Sequence, residues 1–461
     1  LEQMTREGVS TRGITTDPAR LTSLVLLAVE SDKTFPLIFY RDNCADSALS
    51  EDDVDEDFIR SAGALLVTGT HFAREVNDKA QRKAMALAKK HGRRIIIDID
   101  YRPNLWGLAG LGAGEERYIK SDKVTAHLQS ILADCDLIIG TEEEVHIAGG
   151  TEDTLEALRV IRNISKGVIV LKRGPMGCVV YPAAIPPTLD GGIVGKGFPI
   201  EVYNVLGAGD AFMSGFLRGW LKNEPYEICA TWANACGAFA VSRLLCSPEY
   251  VTWEELQYFL KHGSPHRALR KDENLNHIHH ATTRRTEWPK LLAFAIDHRK
   301  QLEDMADSVG TSRDRIAPFK RLAMQAIAKV ADGKPGFGTL LDDTYGREAM
   351  FDAAKLGLWV GRPLEKPGSR PLEFEHTQDV GSRLVDWPVD HCIKCLAFYH
   401  PDDPAELKQK QLAKYRQLYE AARKVGRELL IEIIAGKNGP LDRMTIARAM
   451  QEIYDLGIKP D

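Results

Sequence analysis

The chain has 461 residues, of which 44% are hydrophobic and 27% charged, and its formal net charge is −5. This composition is typical of a globular protein with two or three domains. The charge excludes a general attraction to nucleic acid or an anionic membrane, and no apolar run approaches the ~20 residues of a membrane span. The eight cysteines are scattered along the chain, which favours reduced thiols and a cytoplasmic location.

The first half of the chain alternates short apolar segments with longer helical patterns. Strands are predicted at residues 23–29, 63–69, 94–100, 135–140 and 167–173, and helices at 76–92, 226–243 and 252–263. This alternation predicts an α/β fold with a mostly parallel, doubly wound sheet. We assign residues 1–263 to this first domain.

A polar, basic segment, residues 264–290, is predicted to be a linker, and its HIHH run (277–280) to be solvated surface. Strands are predicted again at 291–297, 337–343, 356–362, 392–399 and 428–435, with a long helix at 404–426. Residues 291–461 therefore predict a TIM-barrel-like (β/α) domain, left incomplete because a closed barrel needs eight strands. Since the chain begins at Leu1 and breaks off at GIKPD, we expect a fragment lacking both natural ends.

The run NVLGAGDAFMSGF (204–216) places small residues and one carboxylate before an apolar helix. A helix start leaves about four backbone N–H groups unpaired and carries roughly half a positive charge. The run of small residues thus predicts a backbone that closes around an anion at Gly207, Ala208 and Gly209. Asp210 can take a proton from a substrate hydroxyl while the helix stabilises a transferred phosphoryl group, as in a kinase. The alternative is that Asp210 only caps its helix.

Two other segments fit a nucleotide and its metal ion. The first is LKRGPMGCVVY (171–181), which predicts a strand, a turn from Gly174 to Gly177 and a second strand. This turn can hold the phosphates of a nucleotide against Lys172 or Arg173. The alternative is a plain hairpin without a ligand. GTEEEVHIAGG (140–150) puts three acids directly after a strand. A carboxylate there can hold Mg²⁺ through water, or the acids simply belong to a first helical turn.

The order DID-R (98–102), GTEEE, KRGPMG and NVLGAGDAF resembles the ribokinase-like (PfkB) sugar kinases over residues 1 to about 262. The resemblance implies ATP and Mg²⁺ as cofactors, with Asp210 as catalytic base and Gly207, Ala208 and Gly209 as anion hole. It also implies that Lys172, Gly174 and Gly177 contact the nucleotide and that Glu144 holds Mg²⁺ through water.

This sequence departs from the family pattern at three places. Asn204 and Val205 stand where the signature usually has Asp and Thr, and Thr141 stands where the magnesium motif has Asn. The family's first strands, which grip the sugar, are expected to lie before Leu1. These departures bear on metal handling and sugar binding more than on the reaction.

FPLIFYRDNCADSAL (35–49) and the fusion to a domain beginning LLAFAIDHR resemble the long bacterial form of 5-dehydro-2-deoxygluconokinase. That family implies phosphorylation of 5-dehydro-2-deoxygluconate at its 6-hydroxyl in myo-inositol degradation. Arg41 and Arg102 are candidate substrate contacts, although Arg41 can instead pair with Asp42 or Asp46. The partners implied are a sugar acid and ATP, and a homo-oligomer is left open. Alternatives are another sugar substrate, or a module that binds a nucleotide or sugar phosphate without turnover.

The second domain resembles the aldolase-like domain of such fusions and, more distantly, class I tagatose-bisphosphate aldolases. The matching residues are Asp297, Lys394 and Glu432. A lysine and a glutamate inside adjacent barrel strands are costly unless they are paired or functional. The Schiff-base lysine of those aldolases lies one strand beyond Glu432, past the end of this chain. Lys394 is therefore expected to bind phosphate, to tune the site, or to form an ion pair with Glu432.

Two other motifs predict no chemistry. GGIVGKG (191–197) fails the spacing of a phosphate-binding P-loop and predicts a turn between strands. Cys392 and Cys395 form a C-x-x-C pair, but strand residues three apart face opposite sides of the sheet.

Overall fold

The computed structural model describes residues 1–31, 34–377, 379–436 and 439–461. These residues divide into two units, 1–279 and 280–461, each built around its own sheet, mostly parallel in the first unit and all parallel in the second. The predicted α/β fold class is confirmed in both. Within the described part of the chain, no helix is long and apolar enough to cross a membrane.

Among its described residues, the first unit contains eight strands and ten α-helices, the last of which crosses into the second unit. The strands are β1 (Leu24–Leu27), β2 (Leu37–Tyr40), β3 (Ala64–Thr68), β4 (Arg94–Asp98), β5 (Leu137–Thr141), β6 (Val168–Lys172), β7 (Cys178–Tyr181) and β8 (Ile193–Gly195). The helices are α1 (Glu2–Arg6), α2 (Glu56–Ser61), α3 (Glu75–Lys90), α4 (Asp122–Leu132), α5 (Glu142–Gly149), α6 (Thr154–Ile164), α7 (Ala208–Leu221), α8 (Tyr226–Ser242), α9 (Trp253–His262) and α10 (Glu273–Thr282).

The main sheet has the order β3-β4-β5-β6-β7-β8, parallel from β3 to β6 and antiparallel at its last two pairs. Successive residues of each strand pack against opposite layers of helices. On β4, Ile95 and Ile97 pack with α3, α4, α5 and α6, whereas Ile96 packs with α7 and α8. This two-sided burial explains the nearly continuous apolar strands and confirms the doubly wound sheet.

The predicted strand at 23–29 lies outside the main sheet. Its core, β1, pairs antiparallel with β2 in a separate two-stranded sheet. A connection of nine residues between the two strands allows a hairpin, whereas a parallel pairing needs a crossover of a dozen or more residues. Leu37 and Phe39 of β2 are buried, and Ile38 and Tyr40 are exposed.

About half of the segment predicted as a linker, 264–290, is helical. A 3-10 helix at Leu269–Lys271 and helix α10 occupy its middle, and the division between the units falls inside α10. Leu269 and Leu275 are fully buried in the core formed with α8 and α9. The HIHH run is also not plain solvated surface, since His279 pairs with Glu255 at 3.1 Å. A few apolar anchors among many charges were enough to fold this segment onto the first unit.

The second unit is a five-stranded, all-parallel half-barrel with the order β13-β12-β11-β10-β9, which confirms the expected incomplete barrel. Its strands are β9 (Leu292–Ala295), β10 (Phe337–Leu340), β11 (Trp359–Pro363), β12 (Cys392–Phe398) and β13 (Leu429–Ile434). Its helices are α11 (Lys300–Ser308), α12 (Ile316–Ala331), α13 (Arg347–Lys355), α14 (Val380–Val385), α15 (Ala405–Lys424) and α16 (Thr445–Asp455).

The two motifs set aside in the sequence have structural roles. GGIVGKG contains β8, the edge strand of the main sheet, so the prediction of a simple turn there is wrong. Cys392 and Cys395 are buried free thiols on β12.

Candidate active site

Helix α7 begins at the glycine-rich run, and its first turn is open to an anion. Gly207 is the N-cap residue with φ +78°, a left-handed conformation that glycine adopts without strain. The Ala208 amide donates to the Val205 carbonyl at 3.3 Å. Among the described residues, none accepts a hydrogen bond from the amides of Gly207, Gly209 or Asp210. These amides and the helix dipole together make an anion-binding N-terminus.

Asp210 lies in the first turn of α7, beside those amides. Its carboxylate forms no hydrogen bond or ion pair with any residue that the structure describes, so helix capping is not its role here. Burial, and then the neighbouring Asp98 carboxylate, raise the pKa of Asp210, while Lys172 and Arg102 partly oppose this. The fold thus leaves this carboxylate unused and raises its basicity, as a general base requires.

Asp210 opens onto a polar cavity of about 240 Å³. Side chains from β2, β4, β6, α5, α7 and the intervening loops line it. The charged ones are the carboxylates Asp98, Asp100, Glu144 and Asp210 and the cations Arg41, Arg102, Arg117 and Lys172. The carboxyl ends of parallel strands meet here, where ligands bind in open α/β sheets.

Lys172, at the end of β6, is the buried centre of this charge cluster. Its Nζ lies 3.1 Å from Asp98 Oδ1 and 3.4 Å from Glu144 Oε2. Burial alone would lower the pKa of Lys172, but these carboxylates outweigh burial and raise it. Lys172 is therefore charged and lies against the helix start, because a Cβ on Gly209 would be 3.6 Å from its Nζ.

Glu144 shows that both interpretations of GTEEE apply. It forms a capping box with Thr141 in the first turn of α5, accepting from the Thr141 amide at 2.7 Å. It is also buried in the cavity wall. Burial would raise the pKa of Glu144, but Lys172, Arg102 and the Thr141 amide lower it. The side chain is therefore an ionised carboxylate.

The residues of the DID-R motif lie at the end of β4 and directly after it, and the sequence analysis assigned no role to its two carboxylates, Asp98 and Asp100. Arg102 pairs with Asp100 at 3.0 Å and lies 4.0 Å from Glu144. Asp100 accepts from Thr70 Oγ1 at 3.0 Å and has φ +34°. Burial raises the pKa of Asp98 to about 6, with Glu144 and Asp100 adding to the shift and Lys172 opposing it. The signal in the sequence for a role of these two carboxylates was the presence of two aspartates at the carboxyl end of a strand predicted to be buried.

Arg41, on the short segment after β2, forms the ion pair that was the alternative to a substrate contact. Its Nη2 lies 2.5 Å from Asp46 Oδ2, and the same nitrogen lies 3.3 Å from His71 Nε2. The Arg41 side chain also lines the polar cavity. The pairing with Asp46 therefore holds Arg41 at the cavity wall.

A second, mostly apolar cavity of about 320 Å³ lies beside the first. Gly174, Pro175 and Gly177 of the turn between β6 and β7 line it, together with residues of α7 and α8. The two cavities share Lys172, Val205 and Gly209. A Cβ on Gly177 would lie 2.0 Å from the Gly195 carbonyl, so this close approach requires glycine. The turn is both a hairpin connection and a cavity wall, while Arg173 pairs away with Glu142 and Asp190.

The family model for pfkB family carbohydrate kinases matches residues 1–252, more than half of the chain. The chain belongs to the pfkB carbohydrate kinase family. Residues 255–461 match a second model, described as an uncharacterized protein conserved in bacteria (DUF2090). The kinase is therefore fused to a second, distinct domain.

Relatives of known name support the carbohydrate kinase assignment. The kinase is 29% identical over 270 residues to 5-dehydro-2-deoxygluconokinase of Geobacillus kaustophilus, covering 57% of this chain and 75% of that protein. It is 26% identical over 264 residues to the enzyme of the same name from Bacillus subtilis, covering 56% and 75%.

Part of this chain is similar to solved structures of sugar kinases. A fructokinase from Vibrio cholerae with bound fructose, ADP and calcium ion has 23% identity and a TM-score of 0.45, covering 56% of this chain and 80% of that one. A fructokinase from Xylella fastidiosa with bound ATP has 18% identity and a TM-score of 0.47, with the same coverages.

The kinase offers no direct metal cage within the described ranges, since no three His, Cys, Asp or Glu side chains converge on one point. Mg²⁺ usually keeps several waters and takes one or two carboxylates together with phosphate oxygens. Glu144 fits that outer role, because its Oε1 lies 4.0 Å from Arg102 and is left for a water. An ion that arrives with the nucleotide is therefore compatible with these residues.

In the second unit of the kinase, the three residues singled out from the sequence come together. Lys394 Nζ lies 3.0 Å from Asp297 Oδ2 and 3.2 Å from Glu432 Oε2, and Glu365 lies 3.8 Å away. Burial would lower the pKa of Lys394, but Glu365, Asp297 and Glu432 raise it. Lys394 is thus a charged amine in an ion-pair cluster with Asp297, Glu365 and Glu432.

Proposed function

We propose that the kinase transfers the γ-phosphoryl group of ATP to the 6-hydroxyl of 5-dehydro-2-deoxygluconate. The observation that carries this proposal is the unpaired Asp210 carboxylate beside the open amides of α7. The names of the relatives from Geobacillus kaustophilus and Bacillus subtilis support the choice of substrate. The polar cavity supports a charged, hydroxylated acceptor, and the apolar cavity supports a nucleotide base.

In this mechanism Asp210 accepts the proton of the acceptor hydroxyl as its oxygen attacks the γ-phosphorus. The free amides of Gly209 and Asp210 hold the phosphoryl oxygens, so that charge developing in transfer meets the helix N-terminus. Lys172, which is paired with Asp98 and Glu144, places its ammonium group where the two cavities join. Glu144 would hold Mg²⁺ through water, and the ion would neutralise part of the phosphate charge of the nucleotide.

Arg41 and Arg102 are the proposed contacts to the acidic sugar. Both line the polar cavity, and each is held by a carboxylate of the protein, Asp46 and Asp100 respectively. Such pairs fix the guanidinium planes while leaving other N–H groups to donate.

The test is ADP release by the full chain with ATP, Mg²⁺ and 5-dehydro-2-deoxygluconate, beside a panel of neutral sugars and sugar acids. We expect turnover with 5-dehydro-2-deoxygluconate, and a loss of at least about 100-fold in Asp210→Asn with nucleotide binding retained. Asp57→Asn, an exposed carboxylate paired only with Arg60 on α2, is the matched control. Turnover that survives in Asp210→Asn would overturn the mechanism. Nucleotide binding without turnover on any sugar would favour a binding module.

A further inference from the structure

The cations of the polar cavity differ in whether the protein already neutralises them. Lys172 lies within ion-pair distance of Asp98 and Glu144, Arg102 of Asp100, and Arg41 of Asp46. In each pair a carboxylate meets the cation at 2.5 to 3.1 Å. These three side chains therefore bring little uncompensated positive charge to an incoming anion.

Arg117 is the exception. It belongs to the segment between β4 and α4, is partly buried, and lines the polar cavity. In the described ranges of the chain its guanidinium makes neither a hydrogen bond nor an ion pair. Burial, and then the nearby Arg102, lower the pKa of Arg117, with Glu144 and Asp100 opposing. A guanidinium stays protonated even so.

An unpaired guanidinium in a partly desolvated wall is unfavourable for the empty protein. It has lost part of its hydration without gaining a partner, and it is repelled by a second cation. An oxyanion bound by the N–H groups of Arg117 would replace the lost hydration and offset the repulsion from Arg102, because guanidinium groups bind phosphate and carboxylate through paired hydrogen bonds. The fold therefore holds a binding group in place for a ligand.

We propose that Arg117 binds an oxyanion of the reacting substrates, in the cavity that also holds Asp210 and the open amides of α7. This inference rests on the proposed kinase function and adds a specificity residue to it. The transferred phosphoryl group and the acceptor carboxylate share this chemistry. The cavity's other cations are already neutralised, so Arg117 supplies the net positive charge that either group needs.

The experiment compares Arg117→Gln, Arg117→Lys and the wild-type chain. Affinities for ADP and for an ATP analogue with nitrogen between its β- and γ-phosphates are measured by calorimetry, and KM for 5-dehydro-2-deoxygluconate by ADP release. We expect Arg117→Gln to lose about 10- to 100-fold in one of these quantities, and Arg117→Lys to lose less. A loss for the ATP analogue but not for ADP identifies the γ-phosphoryl group as the ligand. A raised KM for the acid alone identifies its carboxylate.

Arg159→Gln is the matched control, because Arg159 is exposed and pairs with Glu156 on α6 away from the cavity. Thermal unfolding without ligand is measured on every variant. Since Arg117 has no partner in the described fold, its replacement by Gln should leave the melting temperature unchanged or raise it. A lowered melting temperature, or unchanged ligand affinities and KM, would overturn the inference. Wild-type protein that binds neither nucleotide nor acid would instead contradict the kinase function itself.

Discussion

The ammonium group of Lys172 lies 3.1 Å from the Asp98 carboxylate, and this pair joins β4 to β6 across the intervening strand β5. Both side chains are at least 89% buried, and Glu144 approaches the same ammonium at 3.4 Å. One cation thus balances two buried carboxylates at the centre of the site. The charge balance that prepares the cavity for substrates is also a structural element of the sheet.

Replacing Lys172 with Met should therefore cost stability as well as activity. Removing one partner of a buried ion pair leaves an uncompensated charge, which typically costs about 3–5 kcal/mol in the free energy of unfolding. Urea unfolding of the variant measures this loss. Lys79→Met is the control, since Lys79 pairs with Glu75 on the exposed surface of α3, where solvent screens the pair and little loss of stability is expected. Equal losses in the two variants would contradict the central role of Lys172.

Replacing Asp98 with Asn should shift the pH dependence of turnover. Asp210 works as a base only when deprotonated, so kcat/KM falls as the pH drops through its pKa. Burial and the Asp98 charge raise the pKa of Asp210. Without that charge the pKa falls, and the acidic limb of the profile should move to lower pH. An acidic limb that stays in place or moves upward would show that another group controls it.

The contact between His71 and Arg41 makes stability depend on pH. Arg41 Nη2, which can only donate, lies 3.3 Å from His71 Nε2, so that nitrogen accepts and Nδ1 donates to Thr68 Oγ1 at 2.7 Å. Burial and then Arg41 lower the pKa of His71, and Asp46 opposes them. As the pH falls, His71 is thus protonated at a higher pH in the unfolded chain than in the folded chain.

The contribution of His71 to the free energy of unfolding is therefore complete above the ordinary histidine pKa of about 6.5, and it is lost as the pH falls below that value. Urea unfolding at pH 7.5 and 5.5 should show a larger acid destabilisation in the wild type than in His71→Asn. His266→Asn, at an exposed position, should keep the wild-type difference. The same difference in all three proteins would assign the acid effect to other groups.

The sequence was sufficient to predict the strands that are buried on both faces and the helices that bury one regular face. The central strands β4, β5 and β6 are continuous apolar runs, and α3 and α15 have clear helical periodicity, so all five were predicted within three residues of their ends. The half-barrel followed from the same alternation. Isolated apolar anchors carry no period, which is why α10 with its buried Leu275 was assigned to a linker.

The site was predictable only where a motif fixed the geometry. The GAGD run located Asp210 and the start of α7, because small residues before a helix have few other uses. Asp98 and Asp100 stood in the DID-R motif but were assigned no role, since the importance of Asp98 depends on Lys172 reaching it from another strand and that of Asp100 on its pairing with Arg102 in the cavity. Arg117 was missed for a related reason: its lack of a partner is a property of the folded cavity and leaves no pattern in the sequence.

The two glycines of the GAGD run should separate stability from catalysis. Gly207→Ala introduces a side chain at φ +78° and a Cβ only 2.4 Å from the Tyr250 hydroxyl, so it should destabilise the fold by about 1–3 kcal/mol. Gly209 has no such strain, and a Cβ there would meet only Lys172 Nζ, at the ordinary distance of 3.6 Å. Gly209→Ala should therefore keep the melting temperature.

Turnover should nevertheless fall by about 100-fold in Gly209→Ala, because its methyl group enters the wall shared by the two cavities and displaces the phosphoryl group from the helix amides. Thermal unfolding and kcat measured on both variants test this division. A Gly209→Ala variant that unfolds at the temperature of Gly207→Ala would make both glycines structural. A Gly209→Ala variant with full turnover would place the phosphoryl group away from the start of α7.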